Sequence, residues 1–177
     1  MLDDPEILDP PLAMERDGPI SCGSDFNAQA RTFVTFDISG QTFGVEVSYV
    51  REILDQIEIS RIPNTRPDIE GIIDIRNESV PIMDIGSRLG MQNLETGADT
   101  RIIIFEISVG DEARPIGILA DRVRDVTQIP AIEIEAPPDA VGGVGSGNVL
   151  AGLARHNDLL IALLDIRTIL SSDHEFF

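Results

Sequence analysis

Two aspartates at matching positions in the chain are the strongest candidates for acid–base chemistry. Asp84 follows the apolar run 80–83, and Asp165 follows the apolar run 161–164. If the fold brings the two carboxylates together, they could share a proton and act as the acid and the base of a hydrolase. Alternatively, each aspartate caps a helical turn by accepting hydrogen bonds from its free N–H groups. Neither aspartate precedes the Thr-Gly or Ser-Gly of aspartic proteases, which favours capping.

Other catalytic side chains are scarce in this sequence. The histidines are His156 and His174, and the one cysteine is Cys22. They do not have the spacing of a metal site, and a nucleophilic triad would have to use His156, which is predicted to lie in a surface hairpin turn without a Gly-x-Ser-x-Gly motif. The loop 137–147 contains four glycines but no lysine, and no strong helix follows it, which is unlike a phosphate-binding loop. We therefore expect no enzymatic activity and no cofactor.

The two aspartates belong to an internal duplication. Residues 33–89 contain an order of strands, glycines and charges that recurs in residues 101–170, with Gly44 in register with Gly117. Repeat arrays need several such units, so duplication followed by fusion is the better explanation. The duplication predicts two similar subdomains related by an approximate twofold axis. Because a domain of about 70 residues has a marginal core, we expect the two halves to share one.

The elements that must position these residues are predicted to be mainly strands. In the first copy, the pattern predicts strands over residues 33–38, 42–45, 57–62, 72–76 and 80–83. Ser48 is predicted to begin a helical turn with Val50, Ile53 and Leu54 on one face. In the second copy, strands are predicted near residues 101–108, 115–120, 131–135, 150–155 and 159–164, before a helical turn at 167–170. Many short strands with little helix indicate an all-β barrel or sandwich pair.

The composition limits the compartment and the partners. The net charge is −18, from 31 acidic residues and 13 basic residues, and all the basic residues are arginine. This charge repels phosphate backbones, so nucleic acid is a poor partner. No apolar run approaches the ~20 residues of a membrane span, so we expect no direct membrane insertion. A single cysteine and the lack of a signal-peptide pattern predict a cytoplasmic protein.

The ends of the chain are predicted to lie outside the folded domain. Residues 1–30 are acidic and rich in proline, with few apolar residues, which is typical of a disordered tail. Their leucines and Ile7 could instead form a short docking peptide. Residues 171–177 are predicted to be a frayed tail. The folded domain is therefore expected over residues 31–170, with the first repeat at about 31–90 and the second at about 100–170.

Several ordered blocks resemble the CheW family of chemotaxis coupling proteins. They are Val-Arg-Glu-Ile-Leu at 50–54, Arg-Ile-Pro-Asn at 61–64, Gly-Ile-Ile-Asp-Ile-Arg at 71–76 and Val-Pro-Ile-Met-Asp at 80–84. The resemblance implies two intertwined five-stranded SH3-like barrels. It also implies a non-catalytic adaptor between the cytoplasmic tips of chemoreceptors, the methyl-accepting chemotaxis proteins, and the regulatory domain of a CheA-type histidine kinase. The same fold could serve pilus motility or another kinase pathway, and the sequence leaves this open.

The resemblance also implies a set of partner-binding residues. Val50, Glu52 and Ile53 match a Val-Gln-Glu-Ile segment that the family uses in receptor binding, and here Arg51 replaces the common Gln. Exposed strands and apolar loop residues would offer a surface to the kinase. The full set is Val50, Glu52, Ile53, Ile59, Ile62, Gly71, Arg76, Gly117 and Val126.

Three members of this set carry particular expectations. Arg76 matches the arginine of the family's Asn-Leu-Arg-Gly turn, where this chain has Asp74 and Asn77 in place of the Asn and the Gly. Because asparagine tolerates a positive φ, the turn geometry can survive. Gly117 and Val126 match positions at the subdomain surface and the receptor-facing groove. Alternatively, Gly117 permits close strand packing and Val126 fills the core.

Overall fold

The computed structural model describes residues 30–92, 96–138 and 149–171 of the 177-residue chain. The predicted tails at 1–30 and 171–177 therefore lie almost wholly outside the described residues, as does most of the glycine loop. The strands are β1 (Arg31–Ile38), β2 (Gln41–Glu46), β3 (Val50–Asp55), β4 (Ile69–Ile75), β5 (Glu78–Met83), β6 (Arg101–Val109), β7 (Glu112–Ala120), β8 (Arg122–Ile129), β9 (Ile134–Glu135), β10 (Leu150–His156) and β11 (Leu159–Leu164).

Helices are short and few among the described residues. Two α-helices, α1 (Ile85–Arg88) and α2 (Ile166–Ser171), each follow the last strand of a repeat, and two 3₁₀ turns cover Val47–Tyr49 and Ala131–Glu133. Within the described ranges, no helix has the length and apolar character needed to cross a membrane. The prediction of an all-β protein with a few short helices is confirmed.

Each of the two sheets contains strands from both halves of the sequence. One sheet has the order β8-β1-β2-β11-β10-β9, and the other has the order β3-β6-β7-β5-β4. The first-half hairpin β1–β2 therefore lies between second-half strands, and the second-half hairpin β6–β7 lies between first-half strands. The sixth strand of the larger sheet, β9, has only two residues. Because the hairpins are exchanged, neither half of the chain contains all the strands of one sheet.

The strand registers confirm the duplication. In one sheet β2 runs parallel to β11, with Gly44 opposite Leu163. In the other sheet β7 runs parallel to β5, with Gly117 opposite Ile82. The β4–β5 and β10–β11 hairpins also have a register shift at the same place. The two halves are thus equivalent in three dimensions as well as in sequence.

The largest apolar cluster joins the two sheets. It includes Phe36 and Phe43 from the first exchanged hairpin, whose rings stack with centroids 6.2 Å apart. Ile103 and Phe105 come from the second exchanged hairpin, and both are fully buried. Smaller clusters fill the individual barrels, one around Ile82 and the other around Phe33, Ile129 and Leu163. The core is shared, as the length of each half predicts.

The predicted helical turn after Ser48 is wrong, because residues 50–55 form β3. This strand pairs antiparallel with β6, and its side chains alternate between exposed and half-buried. Apolar residues at 50, 53 and 54 fit either period, so the pattern alone was ambiguous. Its equivalent β8 was not predicted, because most of its side chains are polar and exposed. Both are edge strands, which alternate only weakly in hydropathy.

Two further strand predictions are only partly correct. Residues 57–62 make an isolated bridge, Ser60 to Ile72, in place of a strand. The equivalent segment 131–135 consists of the 3₁₀ turn followed by β9. Alternating isoleucines favoured a strand in both places. These segments lie beside β4 and β10 and pair with those strands over only one or two residues.

Replacing Gly117 with alanine should destabilise the fold. The added Cβ would lie 2.5 Å from Cδ1 of Ile82 and 2.9 Å from Cδ1 of Ile104, and both isoleucines are buried and closely packed. We expect a loss of about 1–3 kcal/mol in the free energy of unfolding, measured by chemical denaturation. Gly97→Ala is the control, because its Cβ would meet nothing within 4 Å. Equal stability of the two variants would contradict the close approach of β5 and β7.

Candidate partner-binding surface

Glu52 and Arg76, both predicted to bind partners, form an ion pair with each other. Arg76 Nη2 donates to Glu52 Oε2 over 3.3 Å. The side chain of Arg76 is 74% exposed and that of Glu52 is 20% exposed. The strand β3 and the β4–β5 turn are therefore adjacent, and Arg76 is the more accessible of the two charges.

The β4–β5 turn has the geometry that its sequence allows. Arg76 and Asn77 have φ values of 51° and 69°, so both residues are left-handed. This pair forms a two-residue hairpin turn of the kind that matches the twist of the strands. The turn was predicted at residues 77–79, but Glu78 and Ser79 already belong to β5. Asn77, in place of glycine, preserves the turn that presents Arg76.

Arg51, which differs from the family pattern, links three acidic side chains. Its Nη1 lies 3.0 Å from Oε2 of Glu78, and its Nε lies 3.8 Å from Glu106 and 3.9 Å from Glu52. The acids come from β3, β5 and β6, so the group crosses one face of the smaller sheet. Exposed ion pairs contribute little to stability individually. The group, with Arg76, mainly sets a pattern of charge on the surface.

The predicted apolar residues divide into accessible and packed ones. Ile53, Ile62 and Val126 are exposed. Val50 packs partly against the joint core, and Ile59 packs partly against the first-barrel cluster. The sequence reasoning missed four further exposed apolar side chains: Val47, Ile57, Ile132 and Leu160. The last three lie in segments that were predicted to be strands.

The two predicted glycines, Gly71 and Gly117, are buried, which favours the packing alternative over direct contact with a partner. A Cβ on Gly71 would lie 2.5 Å from the carbonyl oxygen of Ser60, where that segment crosses β4. A Cβ on Gly117 would collide with the side chains of Ile82 and Ile104. We propose that any effect of these two positions on partner binding comes through the packing of the strands beneath the surface.

Asp84 and Asp165 are helix caps. Asp84 Oδ1 accepts from the Ser87 N–H over 3.3 Å. Asp165 Oδ1 accepts from the N–H groups of Arg167 and Thr168, and its Oδ2 accepts from the Thr168 hydroxyl over 2.8 Å. Among the hydrogen bonds of the described residues, none joins the two carboxylates. The arrangement is that of two separate caps and lacks the paired carboxylates on which the hydrolase alternative depends.

His156 is not in the hairpin turn, contrary to expectation. It is the last residue of β10, and the left-handed turn residues are Asn157 and Asp158. Its imidazole contacts Glu133 and Thr127. Across the described ranges, no group of three or more His, Cys, Asp or Glu side chains is arranged to hold a metal ion.

Asp37 is a buried carboxylate near the end of β1, which the sequence reasoning missed. Its Oδ1 accepts from Arg124 Nε over 2.6 Å and from Thr42 Oγ1 over 2.8 Å, and its Oδ2 accepts from Arg122 Nη2 over 3.3 Å. Burial raises the pKa of Asp37, but the hydrogen bonds from Arg124, Thr42 and Arg122 and the charge of Arg124 outweigh it, so the pKa lies below its ordinary value. This cluster fixes β8 against β1.

Comparison with known proteins identifies the family. A family model described as the CheW-like domain matches residues 32–174. The chain belongs to the CheW-like domain family. It is 28% identical to the chemotaxis protein CheW of Klebsiella aerogenes over 80% of this chain and 82% of that protein. It is also 28% identical to protein FrzA of Myxococcus xanthus over 82% of this chain and 90% of that protein.

A solved structure supports the same assignment. The crystal structure of the scaffolding protein TtCheW from Thermoanaerobacter tengcongensis superposes with a TM-score of 0.68, at 28% identity, and covers 77% of this chain and 90% of that one. The CheW-like fold, two SH3-like barrels, is therefore confirmed for this chain. CheW-like proteins are non-catalytic scaffolds, which agrees with the expectation that the chain is not an enzyme.

Replacing Asp37 with asparagine should lower stability in a pH-dependent way. Because its pKa in the folded state is lowered from 3.8, its carboxylate stabilises the fold above that pH, and the contribution is lost as the pH falls below it. At pH 7 we expect a cost of about 1–2 kcal/mol, kept small by the exposure of both arginines. The cost should shrink below about pH 4. Asp55→Asn, at a pair whose carboxylate is 88% exposed, is the control. A cost independent of pH would contradict the ionic role.

The caps can be tested by paired substitutions. Asp84→Asn should leave stability nearly unchanged, because asparagine caps almost as well, and Asp84→Ala should cost about 0.5–2 kcal/mol. Asp165 should show the same order, measured by thermal denaturation. An equal loss with Asn and Ala at either position would show that the carboxylate charge, and not the cap, is what matters.

Proposed function

We propose that this protein is a non-catalytic adaptor that couples the cytoplasmic tips of chemoreceptors to the regulatory domain of a CheA-type histidine kinase. The observation that carries the proposal is the surface of β3 and the β4–β5 turn. There, Glu52, Ile53 and Arg76 stand at positions that match the family's receptor-binding and assembly segments. Membership of the CheW-like family supports the same function.

The surface combines accessible apolar area with a defined charge pattern. Ile53 projects from an edge strand, and Ile62 is exposed in the segment that follows β3. These side chains supply area to a partner barrel, while Arg76 and the Arg51 group reject partners with the wrong charges. Contacts between unlike surfaces of successive barrels would build rings or open arrays.

The duplication supplies a second, related surface. Strand β8 is the edge of the larger sheet, as β3 is the edge of the smaller one. Val126 pairs with Val34 as Ile53 pairs with Ile103, so the two exposed apolar residues are equivalent. The surroundings of Val126 and Ile53 differ, because Arg122 and Arg124 of β8 donate hydrogen bonds to the carboxylate of Asp37. Two related but unlike surfaces suit an adaptor that binds two different partners.

A second candidate keeps this surface but places it in another kinase pathway, such as pilus motility. Its support from the comparisons is marginal: one relative, protein FrzA, has a name other than CheW. In either pathway we propose a cytoplasmic location and no nucleic-acid partner, in keeping with the acidic surface.

Charge reversal at the surface should weaken partner binding without unfolding the protein. Arg76→Glu places an acid beside Glu52 and presents the wrong charge to a complementary patch, which can cost several kcal/mol of binding free energy. Glu52→Arg should act in the same direction. Binding is measured by titration with a chemoreceptor cytoplasmic fragment and, separately, with the kinase regulatory domain. Stability on the same samples should change by less, since the pair is exposed on the Arg76 side.

The double variant Glu52→Arg with Arg76→Glu is the matched control. It keeps an ion pair between the two positions but exchanges the positive and the negative side chain. Any lost stability should therefore be restored, while partner binding stays weak. Wild-type binding by both single variants would place the surface elsewhere. Binding that recovers fully in the double variant would show that the pair acts only within the fold.

A further inference from the structure

One edge strand, β3, contains an extra residue. Val50 and Glu52 pair with two successive residues of β6, so Arg51 between them has no pairing partner of its own. Two residues of β3 thus lie opposite one residue of β6, which is the definition of a β-bulge. A bulge bends its strand and increases the local twist. The backbone of β3 is therefore irregular at Arg51.

The other edge strand, β8, has the same irregularity at the equivalent position. Val123 and Asp125 pair with two successive residues of β1, so Arg124 between them is the extra residue. Arg124 follows Arg51 in the sequence by the same distance at which the second copy follows the first. The bulge is therefore a feature that both copies have kept.

Both extra residues are arginines that lie beside an acid of the neighbouring strand. Arg51 Nε is 3.8 Å from Glu106 Oε2 on β6, and Arg124 Nε is 2.6 Å from Asp37 Oδ1 on β1. The two acids are equivalent, because each follows the phenylalanine that pairs with the residue before the bulge. A bulge can re-aim the side chain of its extra residue. Here it aims each guanidinium at the adjacent strand.

Edge strands expose backbone N–H and C=O groups with which a strand of another molecule can pair. Among the described strands, β3 and β8 stand at the ends of their sheets. Each also has an exposed apolar side chain, Ile53 or Val126, two residues after the bulge. Such edges favour association, and a bulge opposes it because a bent and twisted edge does not align with a regular strand. The bulges are thus placed where unwanted strand pairing is most favoured.

We propose that the bulges at Arg51 and Arg124 prevent β3 and β8 from pairing with a strand of a second copy of this chain. A second copy is the competitor to exclude, because it always brings two further edges of the same shape. Ile53 and Val126 then stay accessible to a different partner, which contacts the side chains and not the backbone of these strands. The prevention of pairing is a property of the free protein and does not depend on the proposed function.

Deleting the extra residue tests the role of the bulge. Without Arg124, Val123 and Asp125 keep their partners on β1, so β8 becomes a regular strand with the same side chains facing the core. Arg124→Ala is the matched control, since it loses the same charge and the same ion pair but keeps the bulge. The deletion variant should sediment as a dimer at protein concentrations where the wild type and Arg124→Ala do not. Deletion of Arg51 and Arg51→Ala are the corresponding pair for β3.

Hydrogen exchange gives a second measurement, which also works if a deletion variant does not fold. In the wild type, the amides of β3 and β8 that point away from β6 and β1 should exchange at rates that do not change with protein concentration. In a folded deletion variant, the same amides of the regularised strand should become better protected as the concentration rises. Concentration-dependent protection in the wild type overturns the proposal. A folded deletion variant that associates no more than its alanine control overturns it as well.

Discussion

The structure depends on two parallel strand contacts, β2 with β11 and β5 with β7, through which each half of the chain inserts a hairpin into the sheet of the other. Each contact includes one glycine, Gly44 or Gly117, and the side chains opposite it leave almost no room for a Cβ. Because the inserted hairpins carry Phe36, Phe43, Ile103 and Phe105, the joint core forms only when both exchanges are made. The two barrels are therefore parts of one cooperative unit.

This exchange also determines which strands remain at the edges of the sheets. It covers β1, β2, β6 and β7 on both sides and leaves β3 and β8 as edges. Duplication gives these edges the same backbone and an exposed apolar residue at the same position. Their charges have diverged: an exposed Arg51 group lies along β3, whereas a buried Asp37 is held by two arginines of β8. One ancestral surface has thus become two. In the second barrel, the side chain of His156 is also hydrogen-bonded to those of Thr127 and Glu133.

The sequence predicted what depends on local or repeated patterns. The duplication, the aspartate caps before α1 and α2 and the tolerance of Asn77 for a left-handed turn all follow from residue types at fixed offsets, and all are present. The edge strands did not follow, because β8 has mostly polar side chains and the apolar residues of β3 fit a helix equally well. The Asp37 contacts join β1 of the first half to β8 of the second half, so they depend on the hairpin exchange, which no local pattern reveals. The His156 contacts join separate elements of the second half, which no local pattern reveals either.

The central claim is that one molecule binds a receptor tip and the kinase regulatory domain at the same time. Analytical ultracentrifugation of the three purified components, each alone, in pairs and together, tests this directly. The account predicts a ternary complex that forms only when this protein is present and that sediments faster than either of its binary complexes. Competition between receptor fragment and kinase domain for this protein, with binary complexes only, would contradict it.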